Sequence, residues 1–163
     1  MLTDVQQKRV WEGMLSAEIR ANYFADLSNR YHRRQRIATW LTLVLSSGAF
    51  ASFVFKELPP GLEWVRPLLV LLTAALSAYS LVAQNQKLAV DSVDLHARWN
   101  KLAREYENLW DEMYASDALE RLQKLEEGGV ELSKSGASFG YDKKAMLKWQ
   151  LHVERHRTAH AYA

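Results

Sequence analysis

The stretch IATWLTLVLSSGAFASFVF at residues 37–55 decides the fold, together with PLLVLLTAALSAYSLVA at residues 67–83. Neither run contains Lys, Arg, Asp, Glu or His. An α-helix rises about 1.5 Å per residue, so the first run reaches roughly 28 Å, close to the roughly 30 Å hydrocarbon core of a bilayer. We therefore predict two membrane spans, at residues 37–55 and 67–84. The alternative is a buried hairpin in a helical bundle, although helices of small bundles usually keep a polar stripe.

Almost all the charge lies on either side of these two runs, in residues 1–36 and 84–163. The whole chain of 163 residues is 48% hydrophobic and 25% charged, with a formal net charge of +2. Such a small net charge argues against binding to duplex nucleic acid, which normally needs a strongly basic face. The sequence has no cysteine, which excludes disulfides, thiolate metal sites and a cysteine nucleophile.

Arginine and lysine flank the apolar runs on the sides that lead to the two termini. Such residues bias the segments next to a span toward the cytoplasm. The connector carries only Lys56 and Arg66, so we expect both termini to be cytoplasmic. The flanking cations are Arg30, Arg33, Arg34 and Arg36 before the first run, and Lys87, Arg98, Lys101 and Arg104 after the second.

Two amphipathic stripes predict long helices outside the membrane. Apolar and aromatic residues recur every fourth position from Trp11 to Tyr31, which predicts a helix over residues 2–36. A heptad seam follows the second run and predicts a helix that continues to Met113. In an antiparallel stalk, Tyr23 then lies near Trp99 and Trp11 near Met113; the seam also suits contacts between subunits. The seam residues are Leu95, Trp99, Leu102, Tyr106, Leu109 and Met113.

The predicted fold class is therefore all-α: a two-transmembrane hairpin with a long cytosolic antiparallel stalk, in a homo-oligomer such as a tetramer. Residues 1–127 form this part. Gly128 and Gly129 are expected to end a helix, and residues 130–140 to form a linker. Asp142 is a candidate N-cap for a short basic helix within residues 128–163.

Small polar side chains recur along one face of the second run. A helix places them together because they are spaced by three or four residues. They would line a water-filled pore or allow close helix packing, and both interpretations imply several subunits. The residues are Thr73, Ser77, Ser80 and Gln84, with Ser46 in the first run.

The C-terminal helix is basic, which makes it a candidate ligand-binding element for an anion. The alternatives are a solvated helix or one lying on acidic lipid headgroups. His152, His156 and His160 share one face, but no convergent carboxylates accompany them, so we predict no metal site. The candidate ligand-binding residues are Lys143, Lys144, Lys148, Arg155, Arg157 and Trp149.

Sequence motifs of the common enzyme classes are missing. The chain has no GxGxxG, GxxxxGK[ST], HExxH or GxSxG. We therefore expect no catalytic residues, no cofactor and no enzymatic activity.

The chain resembles the SLATT family in four features. These are RYHRRQR at residues 30–36, Trp40, PPG at residues 59–61 and the predicted helix over residues 84–127. This family comprises small two-transmembrane effectors of bacterial conflict systems. The resemblance implies an ion-conducting pore that depolarises the inner membrane in anti-phage defence and abortive infection. It also implies gating by a nucleotide or short oligonucleotide from a nucleotidyltransferase. The alternative function is a non-conducting membrane-anchored scaffold that recruits a cytosolic partner through its stalk.

Overall fold

The computed structural model describes residues 2–47, 61 and 64–161, and these residues form an all-α protein. The all-α prediction is therefore confirmed for this part of the chain. The helices are α1 (Asp4–Ser46), α2 (Val65–Val82), α3 (Asn85–Asp111), α4 (Ala118–Gly136) and α5 (Lys143–Ala161).

The predicted membrane spans are not borne out. Within the described residues, none of the helices combines the length and the apolar character needed to cross a bilayer. The second apolar run does not continue into residues 84–86, because α2 ends at Val82 and the backbone of Gln84 adopts a left-handed conformation with φ 44°. Of the first run, residues 48–55 lie outside the described part. This finding contradicts the predicted transmembrane hairpin, the ion-channel role that depends on it and the inner-membrane localisation.

The helices divide into two compact units. The four-helix unit comprises Met1–Ser28 and Asp91–Ala163, and the second unit comprises Asn29–Val90. Both α1 and α3 contribute residues to both units.

The core of the four-helix unit is built from the apolar stripes of its helices. Val10, Leu109 and Leu122 are completely buried, although they come from three different helices. At about 25 cal/mol per Å² of apolar surface removed from water, each such side chain contributes roughly 1.5–3 kcal/mol. The other buried side chains include Met14, Ala17, Ala21, Phe24, Leu95, Trp99, Leu102, Tyr106, Leu125, Leu132, Ala145 and Val153.

The register between α1 and α3 differs from the predicted one by about one helical turn. The guanidinium of Arg20, not the ring of Tyr23, lies over Trp99, at 4.7 Å from the ring centroid. Trp11 meets Trp110 with ring centroids 5.4 Å apart, in place of Met113. Apolar residues recur at every turn of both helices, so the spacing alone did not distinguish registers that differ by one turn.

Gly13 explains why this register is favourable. A Cβ atom at Gly13 would lie 2.6 Å from the ring of Tyr106, so only glycine lets the buried ring approach α1 this closely. The amide of Leu2 donates to the carbonyl of Met113 at 3.2 Å, which ties the start of the chain to the segment after α3.

Several predicted helix ends are also corrected. Gly128 and Gly129 do not end α4, which continues to Gly136. Both glycines face Leu102. Leu125 and Leu132, on either side of them in the sequence, are buried, and this burial stabilises a helix that includes the two glycines. The N-cap at Asp142 is confirmed, because its carboxylate accepts the amides of residues 144 and 145 at 3.0 and 3.1 Å.

The second unit keeps few of its large apolar side chains away from solvent. Trp40, Leu71 and Val82 are 63%, 67% and 81% exposed. Ala38, Asn85 and Ala89 are buried, and the Asn85 amide donates to the Tyr79 hydroxyl at 3.5 Å. Small and polar groups therefore make up the described interior of this unit.

Candidate functional site

Two of the basic residues predicted on the C-terminal helix, Lys148 and Arg157, form ion pairs with other helices. The Arg157 guanidinium donates to the carboxylates of Glu18 on α1 and Glu107 on α3, at 3.0 and 3.2 Å. Burial alone would lower its pKa, but these two hydrogen bonds raise the pKa above its ordinary value. Two of the five N–H donors of Arg157 are therefore used by carboxylates that tie α5 to α1 and α3.

The remaining candidates on α5 do not converge on one point. Lys148 lies 3.9 Å from the carboxylate of Asp26 and 4.6 Å from the ring centroid of Trp149. The indole ring of Trp149 is half-buried, whereas Lys143, Lys144 and Arg155 are exposed. Among the described residues, no group of three or more His, Asp or Glu side chains is arranged to hold a metal ion.

Two of the small polar residues predicted to share a pore or packing face form hydrogen bonds within their own helices. Thr73 donates to the carbonyl of Leu69 at 2.8 Å, and Ser46 donates to the carbonyl of Leu43 at 3.3 Å. Ser77 and Gln84 are exposed, and the side chain of Ser80 lies outside the described atoms.

The predicted seam residues are placed together in the four-helix unit, as part of its core. Leu95 and Leu109 are buried, and Met113 is half-buried just beyond the end of α3. Trp99, Leu102 and Tyr106 have a second role, because they line a cleft between α1, α3 and α4.

This cleft has a volume of about 720 Å³, within the range of roughly 300–1,000 Å³ that is typical of small-molecule sites. Arg9, Glu12, Ser16 and Arg20 line it from α1, and Glu126, Ser133 and Lys134 from α4. The charged side chains comprise three cations and two carboxylates, so the lining has a net charge of +1.

Arg20 is the cation with the most unusual surroundings in the cleft. Its side chain is half-buried, lies over Trp99 and donates to the hydroxyl of Ser133. No carboxylate of the described residues forms an ion pair with it. Burial lowers the pKa of its guanidinium, but an arginine side chain stays protonated in proteins. A half-buried cation without an ion-pair partner is a favourable place for an anion.

The other end of the cleft is electrostatically balanced. The Arg9 guanidinium donates to both carboxylate oxygens of Glu126, one of them at 2.9 Å. Beside this pair, burial and the charge of Glu126 raise the pKa of the Tyr106 phenol to about 12, against a smaller opposite effect of Arg9. Tyr106 is therefore a neutral hydroxyl group at physiological pH.

A smaller cavity, which we call the aromatic pocket, adjoins the cleft and has a volume of about 290 Å³. It shares Arg20, Trp99, Ser133 and Ala137 with the cleft, so these residues border both cavities. Its remaining lining is mostly apolar and comprises Tyr23, Phe24, Leu132, Gly136, Phe139, Tyr141 and Met146.

The sequence analysis did not identify Arg20. The pattern that could have found it is the stripe of Gly13, Ala17, Arg20 and Phe24, in which one cation occupies an otherwise buried face. The protein-family models, curated proteins and solved structures compared with this chain include no match to it. The resemblance to the SLATT family stays a prediction.

Proposed function

We propose that the four-helix unit is a receptor that binds a nucleotide or short oligonucleotide in the cleft between α1, α3 and α4. The observation that carries the proposal is Arg20, a half-buried guanidinium with no carboxylate partner among the described residues. Placing a charge in a partly buried site costs free energy unless an opposite charge compensates for it. A phosphate group provides that compensation, and arginine binds phosphate with two parallel hydrogen bonds.

The chemistry around Arg20 favours a phosphorylated ligand with an aromatic part. Lys134 adds a second cation to the cleft, and Ser16 and Ser133 add hydroxyl groups. Trp99 and Tyr106, which are 3% and 4% exposed, add aromatic surface to the same lining. The resemblance to SLATT effectors independently implies a nucleotide signal, and it further implies that the signal acts on an effector in anti-phage defence.

Binding of adenosine 5′-monophosphate and of a short oligonucleotide to the purified full chain, measured by isothermal titration calorimetry, tests the proposal. We expect Arg20→Met to weaken binding roughly 10- to 100-fold, because a hydrogen bond to a charged group contributes about 1.5–3 kcal/mol. Arg104→Met is the matched control, since Arg104 is an exposed arginine that does not line the cleft.

Thermal unfolding of both variants shows whether they keep the fold of the native chain. Equal affinity of the Arg20 and Arg104 variants for the nucleotides would contradict the proposal, and so would a native chain that binds neither ligand.

A further inference from the structure

The two adjoining cavities differ in chemistry, and from this difference we infer that the ligand is a single nucleoside phosphate. Its base enters the aromatic pocket, and its phosphate group binds Arg20 at the junction with the cleft. The inference rests on the proposed function and adds to it the size and the orientation of the ligand.

The aromatic pocket suits one planar group. Its volume of about 290 Å³ lies at the lower limit for small-molecule sites. Phe24 and Phe139 meet edge to face with ring centroids 5.6 Å apart, and Met146 adds a soft apolar side chain. A base in contact with these groups loses apolar surface to the protein while its edge stays available for hydrogen bonds.

Hydrogen bonds hold the wall of the aromatic pocket in place without a ligand. The Tyr23 hydroxyl donates to the carbonyl of Gly140 at 3.1 Å and accepts the amide of Asp142 at 3.2 Å. These bonds fix the segment between α4 and α5, which carries Tyr141. A preformed pocket costs less conformational entropy on binding than one that must be ordered by the ligand.

Arg20 and Trp99 line both cavities, so a base in the aromatic pocket and a phosphate group at Arg20 can belong to one small ligand. Trp99 is only 3% exposed, and its indole N–H has no acceptor within the described part of the chain. Because this N–H is itself inaccessible, a ligand in either cavity contacts the ring of Trp99 and not its N–H.

The charges of the cleft argue for few phosphate groups. Glu12 and Glu126 lie on its lining, and Arg9 is already paired with Glu126. A chain of several phosphates extending from Arg20 along the cleft would therefore approach two carboxylates. One or two phosphates at Arg20 and Lys134 avoid this repulsion.

The test compares four probes on the full chain: adenosine 5′-monophosphate, ribose 5-phosphate, inorganic phosphate and a trinucleotide. Tyr141→Ala is the informative variant, because Tyr141 lines the aromatic pocket yet is 72% exposed, so its loss leaves the fold intact. Tyr114→Ala is the matched control, since Tyr114 is 68% exposed and does not line the pocket.

We expect Tyr141→Ala to weaken adenosine monophosphate binding roughly tenfold, from the lost stacking contact, and to leave the affinity for ribose 5-phosphate unchanged. Tyr114→Ala should change neither affinity, and Arg20→Met should weaken both.

The native chain could bind adenosine monophosphate and ribose 5-phosphate with equal affinity, and Arg20→Met could lose binding of both. That result would overturn the inference about the base but would still support an anion site at Arg20. Binding of the trinucleotide more than tenfold tighter than the monophosphate would also overturn it, in favour of an oligonucleotide. A native chain that binds none of the four probes would remove the proposed function together with the inference.

Discussion

The four-helix unit buries large apolar side chains that the second unit leaves exposed to solvent. Leu109 and Leu122 are completely buried in the first, whereas Leu71 and Val70 of the second are 67% and 62% exposed. The difference lies in periodicity, because α1, α3 and α4 carry apolar stripes that face one another, whereas α2 is apolar on nearly every side. A helix of the second kind cannot bury all its side chains against one or two neighbours. Apolar content alone thus does not build a core.

The largest effect that tests this comparison is the loss of a core leucine. We expect Leu109→Ala to lower the free energy of unfolding by about 2–5 kcal/mol, because it removes buried methyl groups and leaves a cavity. Leu71→Ala, at an exposed position, should stay within about 0.5 kcal/mol of the native chain. Urea unfolding followed by circular dichroism measures both, and equal losses would remove the distinction between the units.

A substitution at Gly13 tests how closely α1 and α3 pack in the four-helix unit. Gly13→Ala should lower the free energy of unfolding by about 1–3 kcal/mol, because the new methyl group overlaps the buried ring of Tyr106. Gly128→Ala is the control, since its Cβ meets Leu102 at an ordinary 3.7 Å. There the higher helix propensity of alanine should stabilise the chain by up to about 1 kcal/mol. Stabilisation by both substitutions would show that Tyr106 moves easily.

Tyr106 makes the four-helix unit sensitive to alkaline pH. Up to about pH 10 the phenol is protonated in both the folded and the unfolded chain, so its contribution is fully present. Between pH 10 and about 12 only the unfolded chain releases the proton, so stability should fall by about 1.4 kcal/mol per pH unit.

Urea unfolding at pH 9 and pH 11 measures this loss, which Tyr106→Phe should reduce. Tyr114→Phe, at an exposed position, is the control and should keep the loss of the native chain. An unchanged pH dependence in Tyr106→Phe would mean that other groups cause the alkaline loss.

The smallest expected effect belongs to the second unit, at Gln84. Its left-handed backbone, with φ 44°, is unfavourable for a side chain that has a Cβ atom. Gln84→Gly should therefore stabilise the chain by about 0.5 kcal/mol, after allowance for the greater freedom of glycine in the unfolded chain. Gln86→Gly, within α3, should instead destabilise it by roughly 0.5–1 kcal/mol. Thermal unfolding of the pair provides the measurement, and a loss of stability in both would contradict the assigned strain.

Local patterns predicted much of the helical structure correctly. The four-residue spacing from Trp11 onward indicated a helix, and α1 runs from Asp4 to Ser46. Asp142 was identified as an N-cap because its short carboxylate can accept amides of the first turn. Both features depend on residues that are close in the sequence.

Predictions that depended on distant contacts were less successful. Gly128 and Gly129 were expected to end a helix, but packing on Leu102 carries α4 through them. The helix expected to continue from the second apolar run breaks at Gln84, whose side chain gives no local indication of a left-handed backbone. The hydrogen bonds of Arg157 to Glu18 and Glu107 were not predicted, because these carboxylates lie 139 and 50 residues away in the sequence.

The sequence by itself determined that this chain is helical, where its charge lies and which stripes are apolar, because these properties follow from spacing along one helix. Only the tertiary structure decided the register of α1 on α3 and the convergence of Arg20, Trp99 and Ser133 on one cleft. These residues come from three helices, and the close approach of Gly13 to Tyr106 fixes two of those helices against each other. Such contacts depend on shape between distant segments, which the periodicity of a single helix does not specify.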